Sequence, residues 1–472
     1  MSIADQQRQT PVGVLDVSRR ALTIGLLLVV SLVAFEALAV ATVMPAAVKD
    51  IGGLTLYGWT FSAFMLASLV TTIAAGEQAD RRGPAIPFLA GIALFGLGLV
   101  VAGLAPSMLL FIAGRALQGG GAGAVIAMAY VGISRGYPDA LRARMLALLS
   151  SAWVIPGLIG PGVAGVLAEQ ASWRLVFLGL LPLLVVAAAL TLPAFGRMTV
   201  DGAGAVAGRF VAALCLAIGT GVFLGGLEIG IPVLAVAVAA VGAGLAVPAL
   251  LRLTPPGIFT ARPGLPAGLA TSALLNFGFF AAEAFMPLGL TSLRGLSTSE
   301  AGVMLTIASL TWTGGAWVQA RLDTQMQGRG RRERVTIGVA LAAAGIVVMA
   351  LTIVWEQIPV GLAGIGWGIG GLGMGLAYPT ISLIVLAQAP AGKEGSVSGS
   401  LRVAELLSVA LGTGLGGAVI AFGDRMGWPE EAGIAVAFGI ALCGSAIGIL
   451  ASRRLPGRNA AAQRRDATLS VV

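Results

Sequence analysis

IAGRALQGGGAGAVIAMAY, residues 112–130, is apolar or small almost throughout, with Arg115 and Gln118 as its strongly polar members. As a helix it would rise about 28 Å, close to the roughly 30 Å of a bilayer's hydrocarbon core. A guanidinium near the centre of such a helix costs about 2.5–3.5 kcal/mol on insertion scales, so it calls for a partner and a purpose. Two acids stand in similar surroundings: Glu36 in SLVAFEALAVATVMP (31–45) and Glu283 in LNFGFFAAEAFMPLGL (275–290).

Composition points the same way. The 472 residues are 57% hydrophobic and 11% charged, against roughly 25% charged in an ordinary soluble domain. A polytopic membrane protein can hide that much apolar surface. The chain contains no histidine, which speaks against zinc or iron sites and histidine-based triads. Cys215 and Cys443 each lie in an apolar run and are expected to pack as small hydrophobes. No metal and no cofactor are expected. The net charge of +8 follows the membrane rather than a nucleic acid.

Runs long enough to span fall at 22–47, 55–76, 85–104, 107–133, 145–168, 175–194, 210–227, 230–251, 266–292, 301–320, 335–354, 358–388, 397–422 and 432–452. With the N-terminus inside, 23 of the 29 basic residues fall on the cytoplasmic side. Lys49, Arg174, Arg294 and Arg425 fall outside, and Arg115 and Arg402 lie within spans. By the positive-inside rule both termini are cytoplasmic. The run after residue 20 is too long for a cleaved signal and reads as a first span.

The loops and helix entries carry motifs. GEQADRRGPA (76–85) puts Asp80, Arg81 and Arg82 in a cytoplasmic turn bounded by Gly76 and Gly83. Arg115, Gln118 and Gly119 form Arg-x-x-Gln-Gly. WVIPGLIGPGVAGVLAE (153–169) holds Gly160, Pro161 and Gly165, and SWRLVFLGLLP (172–182) opens the next span. In this order the set resembles the major facilitator superfamily, and within it the fourteen-helix drug:proton antiporters. Pro84 and Ala85 replace the basic residues usual after the second glycine. GLGMGLAYP (371–379) and SGSLRVAELLSVALGTG (398–414) are similar more loosely.

The resemblance implies an all-α fold: two six-helix bundles related by a pseudo-two-fold axis, with two added helices between them. The expected divisions are a cytoplasmic segment 1–20, bundles at 21–195 and 263–453, the added pair with linkers at 196–262, and a basic tail at 454–472. It further implies that Asp80 docks on the N-terminal end of the span beginning near EGSVSGS (394–400) when the cytoplasmic side closes. Gly160 and Pro161 would give a kink and a packing surface, with TWTGGAW (311–317) as a candidate partner.

Glu36, Arg115 and Glu283 lie about 16, 12 and 14 Å from the outer ends of their spans. Three of the five charges within spans therefore share a level, and the resemblance implies that their helices line a central cavity. There a carboxylate could alternate between proton and cargo, a reading that requires Glu36 to reach a central opening. One proton crossing about 100 mV releases roughly 2.3 kcal/mol. The competing structural reading is a static salt bridge. Arg402 and Glu405, at i and i+3, suit either a self-neutralising pair or a second coupling site.

Trp59, Phe61, Phe64, Phe277, Phe279, Phe280, Met286 and Tyr378 are candidate lining residues for large amphipathic compounds, and two acids hint at lipophilic cations. The expectation is a monomeric, proton-driven exporter of such compounds in a bacterial inner membrane, not an enzyme. Alternatives are a same-fold transporter dedicated to one self-made antibiotic, lipid or metabolite, a proton-coupled importer, and a membrane-embedded sensor or enzyme.

Overall fold

The computed structural model describes residues 13–198, 208–390 and 392–457. Residues 1–12 of the expected N-terminal segment, 199–207 of the linker, and the basic tail from 458 lie outside the described residues. The first bundle comprises α1 (Arg20–Ile51), α2 (Trp59–Arg82), α3 (Ala85–Gly103), α4 (Met108–Gly136), α5 (Asp139–Ser151), α6 (Val154–Gln170), α7 (Leu175–Leu178) and α8 (Leu181–Phe195). A central hairpin, α9 (Arg209–Leu227) and α10 (Pro232–Leu253), follows. The second bundle is α11 (Leu265–Ser292), α12 (Thr298–Gln325), α13 (Arg331–Val354), α14 (Gly361–Leu386), α15 (Glu394–Arg425) and α16 (Glu430–Ser452).

Among the described residues fourteen helical segments are long and apolar enough to cross a membrane, with α5–α6 and α7–α8 each counting as one broken span. Lipid offers the backbone no partner, so these apolar runs must satisfy their own amides and carbonyls as helices. The fifth span starts earlier than hydropathy alone suggests. Its first turns, which carry Arg142 and Arg144, are already helical. Gly83 closes α2 at φ +85°, a conformation suited to glycine, and its amide donates to the Ala79 carbonyl at 3.0 Å.

Glycine sets how closely the helices approach. In the first bundle, methyl groups added at Gly119 and Gly123 of α4 would collide with the Phe64 and Ser68 carbonyls of α2, and one at Gly121 with Gly91 of α3. In the second, Gly371 and Gly375 of α14 sit the same way on Ala308 and Trp312 of α12, and Gly373 on Gly338 of α13. The same frame is built twice.

The bundles meet at the end that holds the α1–α2 and α11–α12 turns. Tyr57 Oη donates to the Ala284 carbonyl at 3.0 Å, and Ser62 Oγ to the Ala410 carbonyl at 2.8 Å. Gly58 packs on Gly417, and Glu169 of α6 accepts from the Ser299 amide (2.7 Å) and hydroxyl (2.8 Å) at the start of α12. At the other end α5 packs against α1, α4 and α6 of its own bundle. The hairpin covers one seam: Leu216, Leu250 and Leu253 pack with Leu69 of α2 and Val403, Leu406 and Leu407 of α15.

Candidate functional site

Arg115 and Gln118 share one face of α4 because they are three residues apart. Gly119, one residue on, admits the α2 backbone at Phe64. That close approach brings the Thr60 carbonyl to 3.0 Å from Arg115 Nε and lays the Phe64 ring 4.4 Å from the guanidinium carbon. Arg115 Nη1 then donates to Glu36 Oε1 of α1 and to Gln118 Oε1 at 2.5 Å. Glu36 and Gln118 are 0% exposed and Arg115 2%.

Two polar atoms in this pocket stay unpaired among the described residues: Glu36 Oε2, an acceptor, and Gln118 Nε2, a donor. Glu36 was expected to face an open cavity. The structure instead encloses it: the carboxylate is fully buried and bonded to Arg115, whose guanidinium is itself held by the Thr60 carbonyl and the Phe64 ring of α2. Any exchange at Glu36 therefore needs another conformation.

Glu283 is not brought into this cluster. It is partly exposed and has no hydrogen-bond or ion-pair partner among the described residues. Ser272, Asn276 and Glu283 fall on one face of α11 by helical period. That helix is surrounded by α1, α12, α13, α14, α15 and α16, so its polar stripe faces the protein interior. Glu405 joins the stripe from α15: it accepts from Ser272 Oγ at 3.0 Å and from Tyr378 Oη at 3.2 Å, and lies 3.6 Å from Arg402. Glu405 thus ties three helices together, which exceeds a self-neutralising helical pair.

The expected lining aromatics divide sharply. Phe280 and Tyr378 are partly exposed and meet Trp312, with ring centroids 6.2 and 6.0 Å away. Phe279 is buried in a stack on Trp367 at 4.8 Å, and Met286 is fully buried. Phe61 and Phe64 are buried too. Phe277 lines a peripheral apolar groove with Leu274 and Cys443, and Trp59 lies against α9. Hydropathy cannot separate these settings, since lipid-facing, core and cavity aromatics read alike.

The switch residues occupy both ends of the seams. Asp80 pairs with Arg135 of its own bundle at 3.0 Å and is half-exposed. The first turn of α15 carries no side-chain cap among the described residues, so Asp80 is not bonded there. Gly76 has open space beside it, and Arg81 is exposed. Pro161 presents its carbonyl to Gly302, Gly165 packs on Ser299, and Gly160 faces Phe35. The α12 surface met by this motif is therefore 299–309. TWTGGAW lies further along α12, where Gly315 packs on α14. Ser272, Asn276, Trp312, Glu169 and Glu228 emerge only from the packing. The sequence signal available for the last was an acid in an otherwise apolar hairpin.

Two glycine-interlocked bundles of apolar spans, one of them built around a buried charge cluster, define a polytopic membrane protein. The Major Facilitator Superfamily family model matches residues 26–413, and the chain belongs to that superfamily. It is 28% identical over 456 residues to a Mycobacterium tuberculosis protein named "probable multidrug-efflux transporter", covering 88% of this chain and 91% of that one. It is 24% identical over 418 residues to the Bacillus subtilis multidrug transporter protein MdtP, covering 85% and 76%. Among solved structures, a bacterial homolog of the human lysosomal transporter Spinster, inward-facing and unoccupied, superposes with TM-score 0.64 at 15% identity, covering 93% and 98%. A D-xylose–proton symporter gives TM-score 0.67 at 14%, covering 93% and 98%. These two likenesses are likenesses of fold.

Proposed function

We propose that this chain is a multidrug exporter that moves amphipathic, cationic compounds out of a bacterial cytoplasm in exchange for protons, by alternating access. Its relatives named as multidrug transporters support the drug-export part. The proton part rests on one observation: Glu36 Oε2 is buried without a partner beside Arg115. A buried carboxylate oxygen left unpaired is where a proton relieves the most desolvation.

In the inward-facing state Arg115 holds Glu36 closed while cargo enters against Phe280, Trp312 and Tyr378, with Glu283 and Glu405 offering negative charge nearby. Opening outward separates α2 from α15, loosens the packing over Glu36, and lets it exchange a proton with the exterior. The protein works as a monomer with both termini cytoplasmic, and the proton gradient is its energy source.

Proteoliposomes with an imposed pH gradient test this. Glu36→Gln is expected to abolish gradient-driven flux while leaving downhill substrate exchange, and Glu283→Gln to reduce flux of cationic substrates. Undiminished gradient-driven flux in both variants sinks the coupling assignment. A resistance panel sets breadth: protection against many ethidium-like cations fits this reading, and protection against one compound points to a dedicated exporter.

A further inference from the structure

The central hairpin is bonded to both bundles at both of its ends. At the cytoplasmic end, Glu77 of α2 accepts from the Phe210 amide of α9 at 3.2 Å, and Ser400 Oγ of α15 donates to the Leu253 carbonyl of α10 at 2.7 Å. At the outer end both bonds converge on Glu228, in the turn between α9 and α10. Its Oε1 accepts from Trp59 Nε1 at 2.8 Å, and Trp59 is the first residue of α2. Its backbone carbonyl accepts from the guanidinium of Arg425, the last residue of α15.

Side-chain packing reinforces both attachments. The Trp59 indole lies against Gly221 and Gly225 of α9, which would carry methyl groups only 3.9 and 3.7 Å from the ring. Leu224 fills the space over Gly414 of α15. Gly219, Gly226 and Gly242 interlock α9 with α10 backbone to backbone, so the pair moves as a unit.

We propose that the α9–α10 hairpin is a strap across the seam between α2 and α15, and that Glu228 is its outer latch. The latch joins the outer ends of the two bundles in the inward-facing state and lets go when the outer side opens. Trp59 and Arg425 belong to opposite bundles, so a single turn cannot follow both as they part.

The latch is also sensitive to protons. Glu228 lies outside the spans, and burial pushes its carboxyl from an ordinary 4.5 up to about 7, while Trp59 and Arg425 pull the other way. The charged groups near it are Arg425 and the exposed Asp424 on α15; the first turns of α2 and of α10 carry none. Released into water, the carboxyl returns toward its ordinary range. The closed state therefore holds the proton more firmly, so acid favours closure and ionisation favours release. An acidic exterior would return an emptied transporter to its inward-facing form. That use of the proton rests on the exporter reading, but the latch itself does not.

Spin labels at Ser107→Cys and Glu356→Cys, in outer turns of opposite bundles, read the latch in lipid nanodiscs without substrate, with Cys215→Ser and Cys443→Ser as background. From about pH 5.5 to about pH 8 the wild-type outer-open population is expected to rise on the order of tenfold. Glu228→Gln, neutral yet still able to accept from Trp59, stays closed at both. Glu228→Ala and Trp59→Phe, which lose the bond, open at both. An equal pH response in wild type and Glu228→Gln overturns the proton sensitivity, and unshifted distances in Glu228→Ala and Trp59→Phe overturn the latch. Loss of gradient-driven drug flux in wild type would instead sink the exporter reading and leave these distances as they are.

Discussion

Residues 114–123 of α4 and 366–375 of α14 occupy matching places in the two bundles, each seated by glycines on the helix pair beside it. Within that shared frame the position of Arg115 corresponds to Trp367. Arg115 bonds Glu36 on α1, the first helix of its bundle; Trp367 stacks on Phe279 of α11, the first helix of the other. Gln118 corresponds to Gly370. One bundle centre is an enclosed ion pair and the other an aromatic stack, with similar packing and opposite polarity. The fold needs only that the space be filled, and the second bundle fills it without a charge. Replacing buried ion pairs with apolar residues is often neutral or stabilising.

The comparison breaks most visibly at Arg115. Arg115→Ala leaves Glu36 buried and uncompensated, and should lower stability by about 4 kcal/mol, read as a shift in thermal unfolding in detergent. Arg115→Met combined with Glu36→Met should recover most of that stability while transport stays absent. Recovery of transport as well would reduce the pair to a structural bridge. Trp367→Ala should cost about 3 kcal/mol through the cavity it opens, yet keep the pH dependence of whatever transport survives. A changed pH profile there would mean that the aromatic centre also takes part in coupling.

Smaller effects sharpen the shared frame. Gly119→Ala and Gly371→Ala each press a methyl onto a neighbouring backbone, so both should cost about 1–3 kcal/mol and by similar amounts. A tolerated Gly371→Ala beside a damaging Gly119→Ala would show that only the charged bundle needs its spacing held tightly. Smallest in stability is Asp80→Asn, at most about 1 kcal/mol for a half-exposed pair with Arg135. Its effect should appear in transport rate, because the state with the cytoplasmic side closed loses its anchor on α15. An unchanged rate removes Asp80 from the switch.

Much of this molecule was legible before any coordinates. Spans follow from apolar runs, because lipid leaves the backbone no choice but helix. The pairing of Arg115 with an acid at its own depth followed from the cost of an isolated buried charge. Which acid it takes was not legible: Glu36 and Glu283 stand at similar depths, and the packing of α1 on α4 brings Glu36 to Arg115. Enclosure was missed for the same reason. Depth along a helix can be counted, whereas what closes over a side chain depends on helices remote in sequence. The aromatics failed as a class, since Phe279, Phe280 and Phe277 lie within three residues of each other and end in the core, the interior face and the periphery.

By itself the amino-acid order determined that the chain lives in a bilayer, how many times it crosses, and that a few charges must find partners inside. These are local properties, set by the solvent that each twenty-residue stretch must meet. Tertiary structure decided which charges meet, that Glu36 is sealed while Glu283 is not, and that Glu228 touches both bundles at once. Those outcomes depend on close approaches between helices up to hundreds of residues apart, where a glycine in one admits the backbone of another.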